Sequence, residues 1–158
     1  MEYMTLQKGD MAEDFELLAH DGTTIRLSSY KNSKNVVLCF YPKNHLFACP
    51  SKKVFEMAKS VISVYSEITA TETVVFAVSV DSVDSQSDFV KEYEIPYVHL
   101  SDPKKIACKK YAGTSITGLA KRSTFVIDKN GIIQDVMREI NVASHGQEIL
   151  NSLKKIKL

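Results

Sequence analysis

Cysteine is scarce in this chain: Cys39, Cys49 and Cys108 are the only three. An odd number at wide spacing excludes a disulfide scaffold, and free thiols in a reducing compartment are expected. No Cys-x-x-Cys or His-x-x-x-His pair occurs, and His20, His45, His99 and His145 are scattered, so no metal site is expected. An excess of charge is missing too. Twenty basic and nineteen acidic residues leave a net charge of +1, which supplies no reason to expect nucleic acid or an anionic membrane as partner. No apolar run approaches the roughly 18 residues of a membrane span. The opening stretch, MEYMTLQKGDMAEDF, is polar and acidic, unlike a signal peptide, and a cytoplasmic location is expected. Repeats, low-complexity tracts and linkers are also absent.

What is present is an ordinary globular composition, 44% hydrophobic and 25% charged over 158 residues. That length suits one domain, residues 1–158, with a core large enough to need no staples. Phe15 to Leu18 and Thr24 to Leu27 flank His20-Asp21-Gly22-Thr23, a hairpin signal. Asn35 to Tyr41 is apolar throughout, as expected of a strand buried on both faces. From Pro50 to Ala70 the apolar positions Val54, Phe55, Ala58, Val61, Ile62, Tyr65 and Ile68 predict one helix. Thr73 to Val80 reads as a second buried strand, and Asp81-Ser82 as caps of a helix reaching Tyr93. A short strand over Tyr97 to Leu100 precedes a helix opened by Pro103 and running to Tyr111. Thr124 to Ile127 and Ile132 to Met137 flank Asp128-Lys129-Asn130-Gly131, a second hairpin signal, and Ser144 with Gln147 forms a capping box for a last helix. This order predicts an α/β fold: a single thioredoxin-like domain with a mixed central sheet, five strands in its core, and an N-terminal β-hairpin.

Cys49 falls where a strand and loop become a helix, with Pro50 at the first helical position. First-turn amides and the positive end of the helix dipole favour an anion there, so the thiol ionises more readily and becomes a nucleophile. Lys43 and Lys52 flank it. A buried, inert cysteine is the competing reading of the same residue.

The ordered motifs resemble the peroxiredoxins, especially the bacterioferritin-comigratory (PrxQ) subgroup. The match includes Tyr41-Pro42-Lys43 with Cys49 after the VVL-x-FY strand, Gly9 with Asp14-Phe15-Glu16-Leu17, and Asp21-Gly22 through Leu27-Ser28. It continues with Leu100-Ser101-Asp102, Arg122-Ser123-Thr124-Phe125-Val126-Ile127-Asp128 and His145 to Leu153. The resemblance implies a thioredoxin-fold peroxidase that reduces hydrogen peroxide or organic hydroperoxides without metal or bound cofactor. By position, Cys49 would be the peroxidatic cysteine, Pro42 would shield it, and Arg122 would hold thiolate and peroxide oxygens. A guanidinium cannot lose its charge and offers forked donors, which suits that role. A surface arginine at a strand edge is the other reading.

Two positions depart from the family pattern P-x-x-x-T-x-x-C. Leu46 stands at the threonine, and Lys52 where a glutamate is usual. Leucine has no donor or acceptor, and losing one preorganised donor at a developing charge typically costs about 10²- to 10³-fold in rate. Ala12-Glu13 also replaces the usual Ala-Pro of the opening motif. Three readings follow: a slow site, one retuned toward apolar hydroperoxides by Leu46 and Phe47, or a silent one, the fold being kept as a binding or redox-sensing module. A working but slow or retuned peroxidase ranks first. His45 is a further candidate donor, although a loop histidine facing solvent is the simpler account.

A sulfenic acid at Cys49 needs a second thiol for turnover. The family's usual places for it fall on Val54 and within Asp81 to Tyr93, and neither holds a cysteine. Cys108 is the candidate resolving thiol and Cys39 reads as core. A one-cysteine cycle is expected, with thioredoxin, glutaredoxin or a small thiol as reductant, in a monomer or weak homodimer. A thioredoxin-type disulfide oxidoreductase would need a second cysteine at position 52, where Lys52 stands.

Overall fold

The structure, a computed structural model, describes residues 5–44 and 50–156, including the side chains of all of these except 50–52. Seven strands form one sheet in the order β2-β1-β5-β4-β3-β6-β7. Its centre is β3 (Asn35–Phe40), parallel to β4 (Thr73–Ser79) and antiparallel to β6 (Ser123–Ile127). β5 (Val98–Ser101) runs parallel to β4, and β7 (Ile133–Met137) antiparallel to β6. These five strands are the predicted core. The N-terminal hairpin, β1 (Glu16–Ala19) and β2 (Thr24–Arg26), adds to the β5 edge.

Period-2 alternation divides β3 between two cores. Val36, Leu38 and Phe40 face a cluster with Phe76, Leu100, Tyr111 and Phe125. Val37, Cys39 and Tyr41 face the opposite cluster with Val54, Met57, Val61, Phe89 and Ile149. The second cluster holds the apolar faces of α1 (Pro50–Ser63), α3 (Val83–Glu92) and α5 (His145–Lys154). Both hairpin turns follow their sequence signals: Asp21 accepts the Thr23 N–H at 3.0 Å, and Asp128 those of Asn130 and Ile132 at 2.9 and 3.0 Å. Gly22 and Gly131, at φ of 85° and 80°, supply the left-handed residue each turn requires.

Three predicted features differ. The single helix over 50–70 is two, α1 and α2 (Tyr65–Thr69), broken at Val64 with φ −120° and ψ 12°. There the Ser63 hydroxyl takes the Ser60 carbonyl at 2.6 Å, and the Val64 N–H turns to Val61 at 3.2 Å. The helix expected from Pro103 is shorter, α4 (Ile106–Lys110). Its cap is Asp102, whose carboxylate accepts the N–H groups of Ile106, Ala107 and Cys108 at 2.8–2.9 Å, while Lys105 takes a left-handed φ of 60°. Finally, Ser144 makes no side-chain cap of α5, so the Ser144–Gln147 box does not form. The Gly146 N–H instead donates to Ser60 Oγ across the interface with α1, at 2.8 Å.

Candidate active site

β3 delivers Tyr41 to the carboxyl end of the parallel strands, where open α/β sheets place their sites. Tyr41 is buried, and its hydroxyl sits among Asn44 Oδ1, Gln86 Oε1 at 2.8 Å and His99 Nδ1 at 3.0 Å. Asn44 is fully buried. Its N–H donates to Asp81 at 2.9 Å, and its amide Nδ2 donates to Ser85 Oγ and Gln86 Oε1, both at 3.1 Å. Gln86 Nε2 donates in turn to Ser79 Oγ at 2.8 Å and the Leu100 carbonyl at 3.0 Å. Asp81 accepts from Ser79 Oγ, and its carbonyl from Ser101 Oγ, each at 2.6 Å. A buried network this densely hydrogen-bonded is rigid, because each group would cost about 1–3 kcal/mol if left alone. It ties residues 41–44, with the half-buried Pro42 between, to the ends of β4, β5 and α3.

Arg122 immediately precedes β6. Ser123 pairs with Phe40, so Arg122 lies at the same end of β3 as Pro42. The side chain is partly buried, and Nη1 donates to Met57 Sδ at 3.2 Å. Burial lowers its pKa, though a guanidinium keeps its proton at any physiological pH. Among the described residues no carboxylate lies within ion-pair distance of it. A half-buried cation so placed can hold an anion or the oxygens of a polar substrate. Arg122 lines a small cavity with Val54, Met57 and Ala58 of α1 and, beneath them, Cys39 and His99.

Of the residues singled out in the sequence, Cys49, Leu46, His45 and Phe47 lie outside the described residues, as does the side chain of Lys52. α1 does begin at Pro50, directly after Cys49 in the chain. Cys39 and Cys108 are buried and unpaired. Burial pushes the Cys39 thiol up to about 12, only partly offset by its bond to Thr124. Burial, followed by the neighbouring Asp102 carboxylate, raises Cys108 further. Neither forms a thiolate at neutral pH. Cys39 belongs to the cluster beneath α1, whereas Cys108 belongs to the cluster on the other face of the sheet.

The polar network around Tyr41 and Asn44 was not foreseen. Asp81 and Ser82 read as helix caps, and Ser82 does cap α3, accepting the Ser85 N–H at 3.2 Å. Asp81 serves the network instead. The available signal was polar Ser79, Asp81 and Ser101 at or just past the ends of β4 and β5.

Comparison with known proteins decides the family. Residues 8–136 match the AhpC/TSA family. Peroxiredoxin Bcp of Bacillus subtilis is 33% identical over 159 residues, covering 96% of this chain and 97% of that protein. Chloroplastic peroxiredoxin Q of Sedum lineare is 30% identical over 158 residues, covering 98% and 82%. The chain belongs to the AhpC/TSA family. It is a peroxiredoxin of the Bcp/PrxQ type. Crystal structures carry the same fold: peroxidoxin BcpB of Mycobacterium tuberculosis superposes with a TM-score of 0.83 at 29% identity, covering 97% of this chain and 99% of that one. PrxQ of Xylella fastidiosa gives 0.82 at 27%, covering 96% and 97%. Pro42 follows the end of β3 at which Arg122 lies, and Arg122 lines a cavity with Val54 and Met57 of α1. Among the described residues no helix is long and apolar enough to cross a membrane, and no three His, Cys, Asp or Glu side chains group as metal ligands.

Proposed function

We propose that this peroxiredoxin reduces hydrogen peroxide or organic hydroperoxides through Cys49, in the cytoplasm, with a one-cysteine cycle. The Cys49 thiolate attacks the distal peroxide oxygen. An S–O bond forms, the O–O bond breaks, and the departing alkoxide or hydroxide takes a proton, leaving a sulfenic acid. Two equivalents of an external thiol, from thioredoxin, glutaredoxin or a small thiol, then return the sulfur to the thiol and release water and a disulfide. In this scheme Arg122 holds the thiolate and the peroxide oxygens, and Pro42 shields the sulfur from side reactions.

The observation that carries the proposal is Arg122: a partly buried guanidinium with no carboxylate partner among the described residues, lining a cavity under α1. Such a cation favours ionised sulfur and polarises an O–O bond. The end of β3 beside it is held by the network through Asn44 and Asp81. Leu46 removes one hydroxyl donor, so the reaction is expected to be slower than with threonine by about 10²- to 10³-fold. Leu46 and Lys52 are also what a catalytically silent binding module would carry, and one experiment separates the two. In stopped flow, the wild type consumes peroxide and Cys49→Ser does not, while Leu46→Thr accelerates the wild-type rate. A Cys49 that titrates as a free thiol and is not selectively oxidised marks a silent module.

A further inference from the structure

The cavity beneath α1 lies over one rung of the sheet. Strand pairing sets Thr124, Cys39, Ala77 and His99 side by side across β6, β3, β4 and β5. Ala77 carries only a methyl group, so space remains between the His99 imidazole and the Cys39 thiol; both line the cavity. The free volume of ≈ 20 Å³ exceeds the roughly 10–15 Å³ one water requires.

His99 is 2% exposed, and its Nδ1 is taken up by Tyr41 and Gln86 at 3.0 and 3.2 Å. Its Nε2 is buried and meets no partner among the described residues. Burial holds the ring neutral, so its two nitrogens differ in role. If Nδ1–H donates to Gln86 Oε1, Nε2 needs a donor. If Nδ1 accepts from Tyr41, Nε2–H needs an acceptor. Water satisfies either tautomer, and an apolar occupant satisfies neither. Cys39 and Arg122 are among the other residues lining the same space.

We infer that this cavity is a buried hydration site holding one ordered water bonded to His99 Nε2 over Ala77. That water is the end member of the network that runs from Asp81 through Gln86 to Tyr41.

A high-resolution crystal structure of the full chain should show one peak within about 3.2 Å of His99 Nε2. Xenon entering the cavity of the wild-type crystal under pressure would overturn the inference, because dry apolar cavities accept it and hydrated ones do not. Ala77→Val fills the space. Loss of the peak, with a thermal midpoint lower by roughly 2–10 °C as Nε2 is left unpaired, is the expected result. A raised midpoint, the response of a dry cavity to filling, counts against it, as does a peak that survives. The ¹⁵N shift of His99 Nε2 in the wild type reads hydrogen bonding without any variant, and a free-nitrogen value overturns the site.

Discussion

His99 and His145 sit on the same core face, each enclosed and each uncharged. Desolvation depresses His99 to about 3, and depresses His145 to about 4 with Arg122 adding to the effect. His145 bonds Thr124 Oγ1 through Nε2 at 2.7 Å, and its Nδ1 stands 3.6 Å from Glu148. In the unfolded chain both titrate near 6.5, so as the pH falls the unfolded state binds protons first. Stability is therefore full above about pH 6.5 and declines below it, by about 1.4 kcal/mol per pH unit for each histidine. Urea unfolding between pH 6.5 and 5 should show this slope, and His145→Gln should remove about half of it. An unchanged slope in the variant contradicts a neutral buried His145. The closing motif around His145 was legible in the sequence, but its bond to Thr124 was not, since 21 residues separate the two.

At the scale of elements, periodicity located the helix after Pro50 and cap signals those after Asp81, Pro103 and Ser144, while contacts with other elements decided where several begin and end. α5 shows this best. A Cβ built on Gly146 would lie 2.2 Å from the Ser60 carbonyl oxygen and 2.8 Å from Val64 Cγ2. The glycine is there because α5 touches the backbone of α1, and the Val64 break lies beside that contact. Gly146→Ala must push the two helices apart, at a cost of about 1–3 kcal/mol typical of overpacking. A drop of roughly 2–12 °C in the thermal midpoint is expected, and a neutral result would mean the interface yields freely. Likewise Pro103 resembled a helix start locally, yet the Asp102 carboxylate gathers three N–H groups and sets the start of α4 at Ile106.

For the molecule as a whole, the sheet separates Cys39 from Cys108. Cys39 lies beneath α1 and Cys108 in the core on the opposite face. A bridge needs Cα atoms within about 7 Å, and the proposed one-cysteine cycle draws on an external reductant instead. Intact-mass spectrometry after one equivalent of peroxide should show a gain of one oxygen on the peptide containing Cys49. A loss of two hydrogens with a Cys49–Cys108 peptide would overturn the one-cysteine cycle.

The amino-acid sequence by itself determined the order of strands and helices, both hairpin turns, the helix start at Pro50 and the residue types of the candidate site. Those depend on periodicity and turn chemistry acting over a few neighbours. Only the tertiary structure decided that Tyr41 meets His99 across 58 positions, that Asn44 meets Asp81 across 37, and that α1 breaks near α5. Burial and hydrogen-bond pairing act between surfaces brought together by the sheet, and no local pattern encodes which surfaces those are.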